Sequence, residues 1–186
     1  YTDNNGRTDS GSLYVIYDNL LASYSGSGNT IDLNDPTTYS LRFDGGAANN
    51  GLAHGGEYAP IAVADLDGNG KNDLVIGAQM GPLGAIPGGD HFGYTYVIFD
   101  SLLDSFALNS ETTIDLLDTA HYNIRYRGTS YSSFGSDVLA TDLNGNGKND
   151  LIVTAWSSDT VVHDNGSIYV IYDTLIDDYY LSLGEA

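Results

Sequence analysis

Cysteine is absent from the 186 residues, so neither disulfides nor thiolate-bound metals can hold this chain together. Cations are nearly as scarce. Six Lys and Arg stand against 25 Asp and Glu, a formal net charge of −19. Nucleic-acid binding depends on basic side chains neutralising phosphates, which excludes that class, and an anionic membrane surface is disfavoured for the same reason. No apolar run approaches the ~20 residues of a membrane helix. The polar, Gly-rich opening Tyr1–Gly11 carries no signal-peptide pattern. Catalytic signatures are missing as well. His54, His91, His121 and His163 share no metal-binding spacing, and no G-x-S-x-G elbow occurs. The aspartates fall mostly in loops and turns, so a glycosidase-like pair of carboxylates cannot be picked out. The chain reads as a non-enzyme.

What is present is a repeated acidic loop. Ala64–Ala78 reads ADLDGNGKNDLVIGA, and Thr141–Ala155 reads TDLNGNGKNDLIVTA. Oxygen-bearing side chains occupy loop positions 1, 3, 5 and 9: Asp65, Asp67, Asn69 and Asp73, then Asp142, Asn144, Asn146 and Asp150. Gly70 and Gly147 stand at position 6, and the carbonyls of Lys71 and Lys148 at position 7 are available as further donors. Alternate oxygens around a tight turn suit one hard cation. Ca²⁺ accepts them more readily than Mg²⁺, which demands a near-ideal octahedron. Asp, Asn and Gly also mark metal-free Asx-turns, but two copies at identical spacing favour metal, so two Ca²⁺ sites are expected. An EF-hand is excluded. Its loop needs Glu at position 12, where Ile76 and Val153 stand, and the following LVIGA and LIVTA are short and strand-like.

The loops belong to a longer internal repeat. GSLYVIYDNL, GYTYVIFDSL and GSIYVIYDTL begin at Gly11, Gly93 and Gly166, and TIDLNDPTTYSLRFDG from Thr30 matches TIDLLDTAHYNIRYRG from Thr113. A Gly/Ala/Asn-rich loop after Gly45 absorbs the difference in spacing, as stacked repeats allow. Each repeat reads as four strands. Strand one is Ile61–Leu66 or Val138–Leu143, and strand two is Leu74–Ala78 or Leu151–Ala155. Strand three is Leu13–Asp18, Tyr94–Asp100 or Ser167–Asp173, and strand four is Tyr39–Phe43 or Asn123–Tyr126. The runs are apolar on both faces, so both faces should be covered. Four-stranded antiparallel sheets stacked on sheets like themselves are β-propeller blades. Asp18–Leu21 and Asp100–Leu103 suggest one short helical turn with Asp as its cap.

The D-x-[DN]-x-N-G-x-x-D-L-[VI] loop between short strands resembles the FG-GAP repeat of integrin α-subunit propellers and many bacterial surface proteins. Phe134-Gly135 before one loop and Gly77-Ala78 after the other strengthen the likeness. The resemblance implies an all-β propeller fold. It also implies calcium ligands at Asp65, Asp67, Asn69, the Lys71 carbonyl and Asp73, and at Asp142, Asn144, Asn146, the Lys148 carbonyl and Asp150. Glu57-Tyr58 departs from the Phe-Gly pattern, and Thr154-Ala155-Trp156 from Gly-Ala-Pro. The repeat is also longer than the family's usual length.

The phase of the copies divides the chain into a partial blade at 1–45 (strands three and four), a complete blade at 46–128 and a second partial blade at 129–186 (strands one to three). About two and a quarter blades are too few to close a ring. The chain therefore reads as a fragment of a longer protein, ahead of an open assembly covered by neighbouring subunits. The expected role is a calcium-stabilised module at the cell surface or outside the cell, its loops meeting a protein or glycan in adhesion or scaffolding. A building unit of a filament or sheath and a non-catalytic part of a hydrolase or lyase are the alternatives. The recurring tyrosines, Tyr14, Tyr17, Tyr96, Tyr169 and Tyr172, read as strand packing more than sugar platforms. Trp156 serves no repeat position and is expected to be an exposed contact residue.

Overall fold

The computed structural model describes residues 5–26, 28–54, 60–80, 92–158 and 165–182, with side-chain surroundings as far as 178. In chain order the elements are β1 (Ser12–Val15), α1 (Asp18–Ser23), β2 (Leu41–Asp44), β3 (Ile61–Ala64), β4 (Asp73–Ala78), β5 (Tyr94–Ile98) and α2 (Asp100–Leu108). They continue with β6 (Thr113–Asp115), β7 (Ile124–Arg127), β8 (Phe134–Thr141), β9 (Asp150–Ala155), β10 (Ser167–Ile171) and α3 (Asp173–Ser182). Three sheets result, in the orders β1-β2-β6, β3-β4-β5-β7 and β10-β9-β8. The middle sheet is a complete antiparallel blade with strands one to four in sequence order. The third holds strands one to three of the next blade, and the first holds strands three and four of the preceding one.

Period-two side-chain alternation explains why the central strands read as continuous apolar runs. Leu74, Ile76 and Ala78 of β4, with Tyr96 and Ile98 of β5, point toward the first blade and pack with Leu41, Phe43 and Ile114. Val75 and Val97 point the other way and pack with Phe134, Leu151 and Val153. The register pairs them face by face, Leu74 with Ile98, Val75 with Val97 and Ile76 with Tyr96. Every residue of β4 is buried. Each such aliphatic side chain contributes about 1.5–3 kcal/mol by leaving water. In β10 only Ile171 is buried, and Ile168 is 70% exposed.

Three features depart from the sequence reading. Strand one is shorter in one blade and earlier in the other, ending at Ala64 and beginning at Phe134, with an irregularity between Phe134 and Val138. The segments after strand three are true helices of 6, 9 and 10 residues, longer than one turn. In α1 and α2 the N-caps are Tyr17 and Phe99, and neither makes a side-chain cap bond. The aspartate is instead the first helical residue, where its charge meets the helix dipole. The third departure is β6. Thr113–Asp115 lies in the span read as the middle blade, yet it pairs in parallel with β2 of the first. The earlier copy, Thr30–Leu33, forms no strand.

Candidate metal centre

The two acidic loops link β3 to β4 and β8 to β9 at the same end of neighbouring blades. Their backbone is shaped by the aspartate at position 1. Asp65 accepts the N–H groups of Gly68 (2.8 Å), Asn69 (3.1 Å) and Gly70 (2.9 Å). Asp142 accepts those of Gly145 (2.7 Å), Asn146 (3.0 Å) and Gly147 (2.8 Å) in the same way. The aspartate at position 9 closes the loop base from the following strand. Asp73, fully buried, accepts the N–H groups of Leu66 (2.7 Å) and Asp100 (2.9 Å). Asp150 does so for Leu143 (3.0 Å) and Asp173 (2.8 Å). Because these contacts are local and side-chain-directed, the D-x-[DN]-x-N-G spelling is enough to set the turn.

In the first loop Asp65, Asp67 and Asp73 each offer a carboxylate oxygen within 4.8 Å of the others, the one such three-carboxylate group among the described residues. Burial, reinforced by the charges of Asp67 and Asp100, raises Asp73 from 3.8 to about 6. Burial likewise raises Asp67. The second loop has Asn144 where the first has Asp67, and it gathers Asp142 and Asp150 around neutral amides.

The asparagines are the part that sequence does not orient. Asn69 turns its oxygen to the Lys71 N–H (2.8 Å) and its NH₂ group to Asp67 (3.0 Å) and Asp100 (2.6 Å). Asn146 does the same with the Lys148 N–H (2.9 Å) and Asp173 (2.9 Å), and Asn144 also donates to Asp173 (3.2 Å). These amide hydrogens occupy the electropositive role between carboxylates, so oxygen ligation by Asn69 requires its amide to turn. The lysines at position 7 send their ammonium groups to the following helix, Lys71 to Asp100 and Asp104 (3.0 Å each) and Lys148 to Asp177 (2.8 Å).

Sequence reasoning passed over Asp100 and Asp173. Although burial opposes it, the Asn69 amide and the Lys71 ammonium hold the Asp100 carboxyl below its ordinary range. The Asn146 amide does the same for Asp173. The signal was present: each copy of the strand-three motif ends in Asp, at 18, 100 and 173. The two loops also touch, since the Asn149 side chain donates to the Asp65 carbonyl at 2.9 Å.

The other candidate residues stand apart from this centre. His121 is tied between the Asp115 carbonyl (2.8 Å) and Glu111 (3.3 Å) and lies edge-on to Phe106. The His54 carbonyl accepts the Gln79 amide. His91, His163 and Glu57-Tyr58 lie outside the described residues. Tyr96 is buried against Tyr122, Tyr14 meets Tyr39 edge-on and Tyr169 meets Phe134, whereas Tyr17 and Tyr172 are exposed. Trp156 is 61% exposed in the turn after β9. Trp156→Ser is therefore expected to leave the urea midpoint nearly unchanged, within about 0.5 kcal/mol. A larger loss in an equilibrium melt would show that the indole belongs to the core.

Short antiparallel sheets stacked face to face, with a carboxylate-bearing loop between the first two strands, define a β-propeller repeat protein. Within that class the chain carries two FG-GAP repeats, matching at residues 61–98 and 134–171. Each match begins with strand one and ends with strand three, so each encloses the acidic loop between its first two strands. The chain is also 27% identical over 151 residues to phosphatidylinositol-glycan-specific phospholipase D of Mus musculus. That alignment covers 81% of this chain and 15% of the mouse protein. Among the described residues no helix is long and apolar enough to cross a membrane.

Proposed function

We propose that this chain is a calcium-stabilised propeller module acting outside the cell or at its surface, in adhesion, ligand binding or scaffolding. One observation carries the reading: three carboxylates converge on a loop that joins adjacent strands. Two of them, Asp67 and Asp73, are desolvated enough to resist ionisation. A cluster holding more negative charge than its surroundings favour is a natural seat for a hard divalent cation. Bound calcium would supply that compensating charge. Asp65, Asp67 and Asp73 would hold it in the first loop with the Asn69 oxygen and the Lys71 carbonyl. Asp142, Asn144, Asn146, the Lys148 carbonyl and Asp150 would hold it in the second. Since β3–β4 and β8–β9 close through these loops, metal binding stabilises the folded blades.

Isothermal titration of the metal-stripped chain with Ca²⁺, with Mg²⁺ as control, tests the reading. Two ions per chain are expected, the first loop binding more tightly because it offers three carboxylates to the other's two. Asp65→Ala should remove the tighter site and leave one ion. Absence of calcium binding by a folded chain would end the proposal.

The likeness to the mouse phospholipase D supports a second reading, in which the module is the non-catalytic part of a propeller-bearing hydrolase. The coding sequence on either side of this stretch decides between them: a catalytic domain favours the hydrolase, anchor and stalk segments the surface module.

A further inference from the structure

The contact between the two acidic loops joins different positions of the repeat. The Asn149 side chain donates to the Asp65 carbonyl at 2.9 Å, across 84 positions of sequence. Asp65 opens the first loop. Asn149 stands at position 8 of the second, between the Lys148 carbonyl and Asp150, and belongs to neither set of expected ligands. Residues 142–147 are exposed, whereas Lys148 and Asn149 are half-buried.

Two further contacts flank this bond. A Cβ on Gly68 would meet Lys148 Cε at 2.8 Å and its Cδ and Cγ at 3.4 Å. The lysine stem therefore lies across the first loop while its ammonium pairs with Asp177 of α3. Beneath them Leu66, which stands between Asp65 and Asp67, is fully buried in the cluster that holds Leu151, the residue after Asp150. Each of these contacts adjoins an oxygen that the calcium reading uses. Positions 1, 2 and 4 of the first loop thus rest on positions 7, 8 and 10 of the second.

What crosses such a junction is order. An ion in the second loop would engage the Lys148 carbonyl and the Asp150 carboxylate, which fixes the backbone on both sides of Asn149. The Asn149 amide then holds the Asp65 carbonyl, and the Lys148 stem holds Gly68, before the first loop receives its own ion. That loop has less freedom left to lose, which is positive coupling with no change of shape. Charge acts in the opposite sense, because two cations repel. At 0.15 M salt the Debye length is about 8 Å, and repulsion between solvent-facing loops is screened. The carboxylates of each loop offset its ion as well.

We propose that Asn149 couples the two loops, so that calcium in either one raises the affinity of the other. The proposal rests on both loops taking calcium. Asn149 is a positioning residue in it, acting through Asp65 and not on the ion. Linkage makes the effect reciprocal, and a gain of about five- to tenfold is expected, at the low end of ordinary couplings. The two loops would then fill and empty together over a narrower range of calcium than independent sites.

The test is calorimetric titration of the metal-stripped chain with Ca²⁺ at 0.15 M salt. Asp142→Ala leaves the first loop to bind alone and Asp65→Ala the second, so the product of their two binding constants is the uncoupled reference. The unaltered chain should exceed that product about five- to tenfold. Asn149→Ala should return it to within about twofold of the reference, and should change neither single-site constant by more than that. Hydrogen exchange adds a readout that leaves Asn149 in place. In the Asp142→Ala chain, calcium in the first loop should slow exchange of the Lys148 amide about threefold. Two ions bound with a product at or below the reference would overturn the coupling while leaving the calcium sites standing. A coupling that survives Asn149→Ala, or an Asn149→Ala chain whose single sites weaken as much as the pair, would overturn the role of Asn149. A folded chain that binds no calcium would remove the sites themselves, a result distinct from two independent sites.

Discussion

Gly135→Ala is expected to abolish the native state, lowering stability by more than about 4 kcal/mol, at the extreme of single substitutions. Gly135 has φ +79°, a conformation that side chains rarely adopt, and a Cβ there would lie 2.3 Å from the Tyr94 carbonyl oxygen and 2.8 Å from Thr95 Oγ1. The crowding is reciprocal. A Cβ on Gly93 would meet the Phe134 oxygen at 2.0 Å, and one on Gly77 would meet the Gly135 oxygen at 2.1 Å. Three glycines thus let the backbones of the second and third blades touch directly, and a parallel bridge joins Gly93 to Phe134. No side-chain rotation relieves a clash with backbone. The blades must separate, which exposes Val75, Val97, Leu151 and Val153 between them. Gly28→Ala is the control. Its φ of +79° is the same, but nothing lies within 4 Å of the added carbon, so only the conformational cost of about 1 kcal/mol remains. Urea midpoints compare the two. Equal losses would show that the contact between blades is not what requires glycine at 135.

The parts of this fold that sequence revealed are those whose causes are local or periodic. The acidic loops are spelled by residues that bond within a few positions of themselves, as Asp65 does to Gly68, Asn69 and Gly70. β4 and β5 stood out because both of their faces are covered, which leaves no polar alternation. β6 was invisible for the opposite reason. Three residues carry no periodicity, and their partner β2 lies about seventy positions earlier, in a different blade. A shorter separation, about thirty positions, hid Asp100 and Asp173. Each is the first residue of a helix, and only the return of strand three past the loop brings it to Asn69 or Asn146. The direction of the asparagine amides follows from that meeting. With Asp100 supplying a further acceptor, the Asn69 NH₂ turns inward and its oxygen is left to the Lys71 N–H.

Calcium should reverse the sign of the pH dependence of stability between pH 4 and 6. Asp73 sits at about 6 in the folded chain against 3.8 for an ordinary aspartate, so the folded state holds this proton more tightly than the unfolded state. In metal-free protein its contribution is therefore most favourable below pH 4. It is lost as pH rises to 6 and then levels, a change of up to roughly 3 kcal/mol. Asp67, also raised by burial, acts in the same sense. Asp100 is displaced the other way, so its stabilisation is lost only on further acidification below the ordinary range. With calcium the ligands must be ionised to bind, so proton loss becomes favourable and stability climbs over the same interval. At a hundredfold excess of calcium over its dissociation constant the gain is about 2.7 kcal/mol per site, or roughly 5–10 °C for one site in a chain of this size. Thermal midpoints of resin-stripped protein at pH 4.5, 5.5 and 6.5, with and without millimolar Ca²⁺, measure both slopes. The net charge of −19 also weakens the metal-free chain as pH rises, so Asp73→Asn is the necessary comparison. That variant should flatten the metal-free slope and lose the first loop's share of the calcium gain together, keeping the share of the second loop. If it changes the metal-free slope but leaves the calcium gain intact, Asp73 closes the loop without holding the ion. Parallel slopes with and without calcium would remove the loops from any role in binding it.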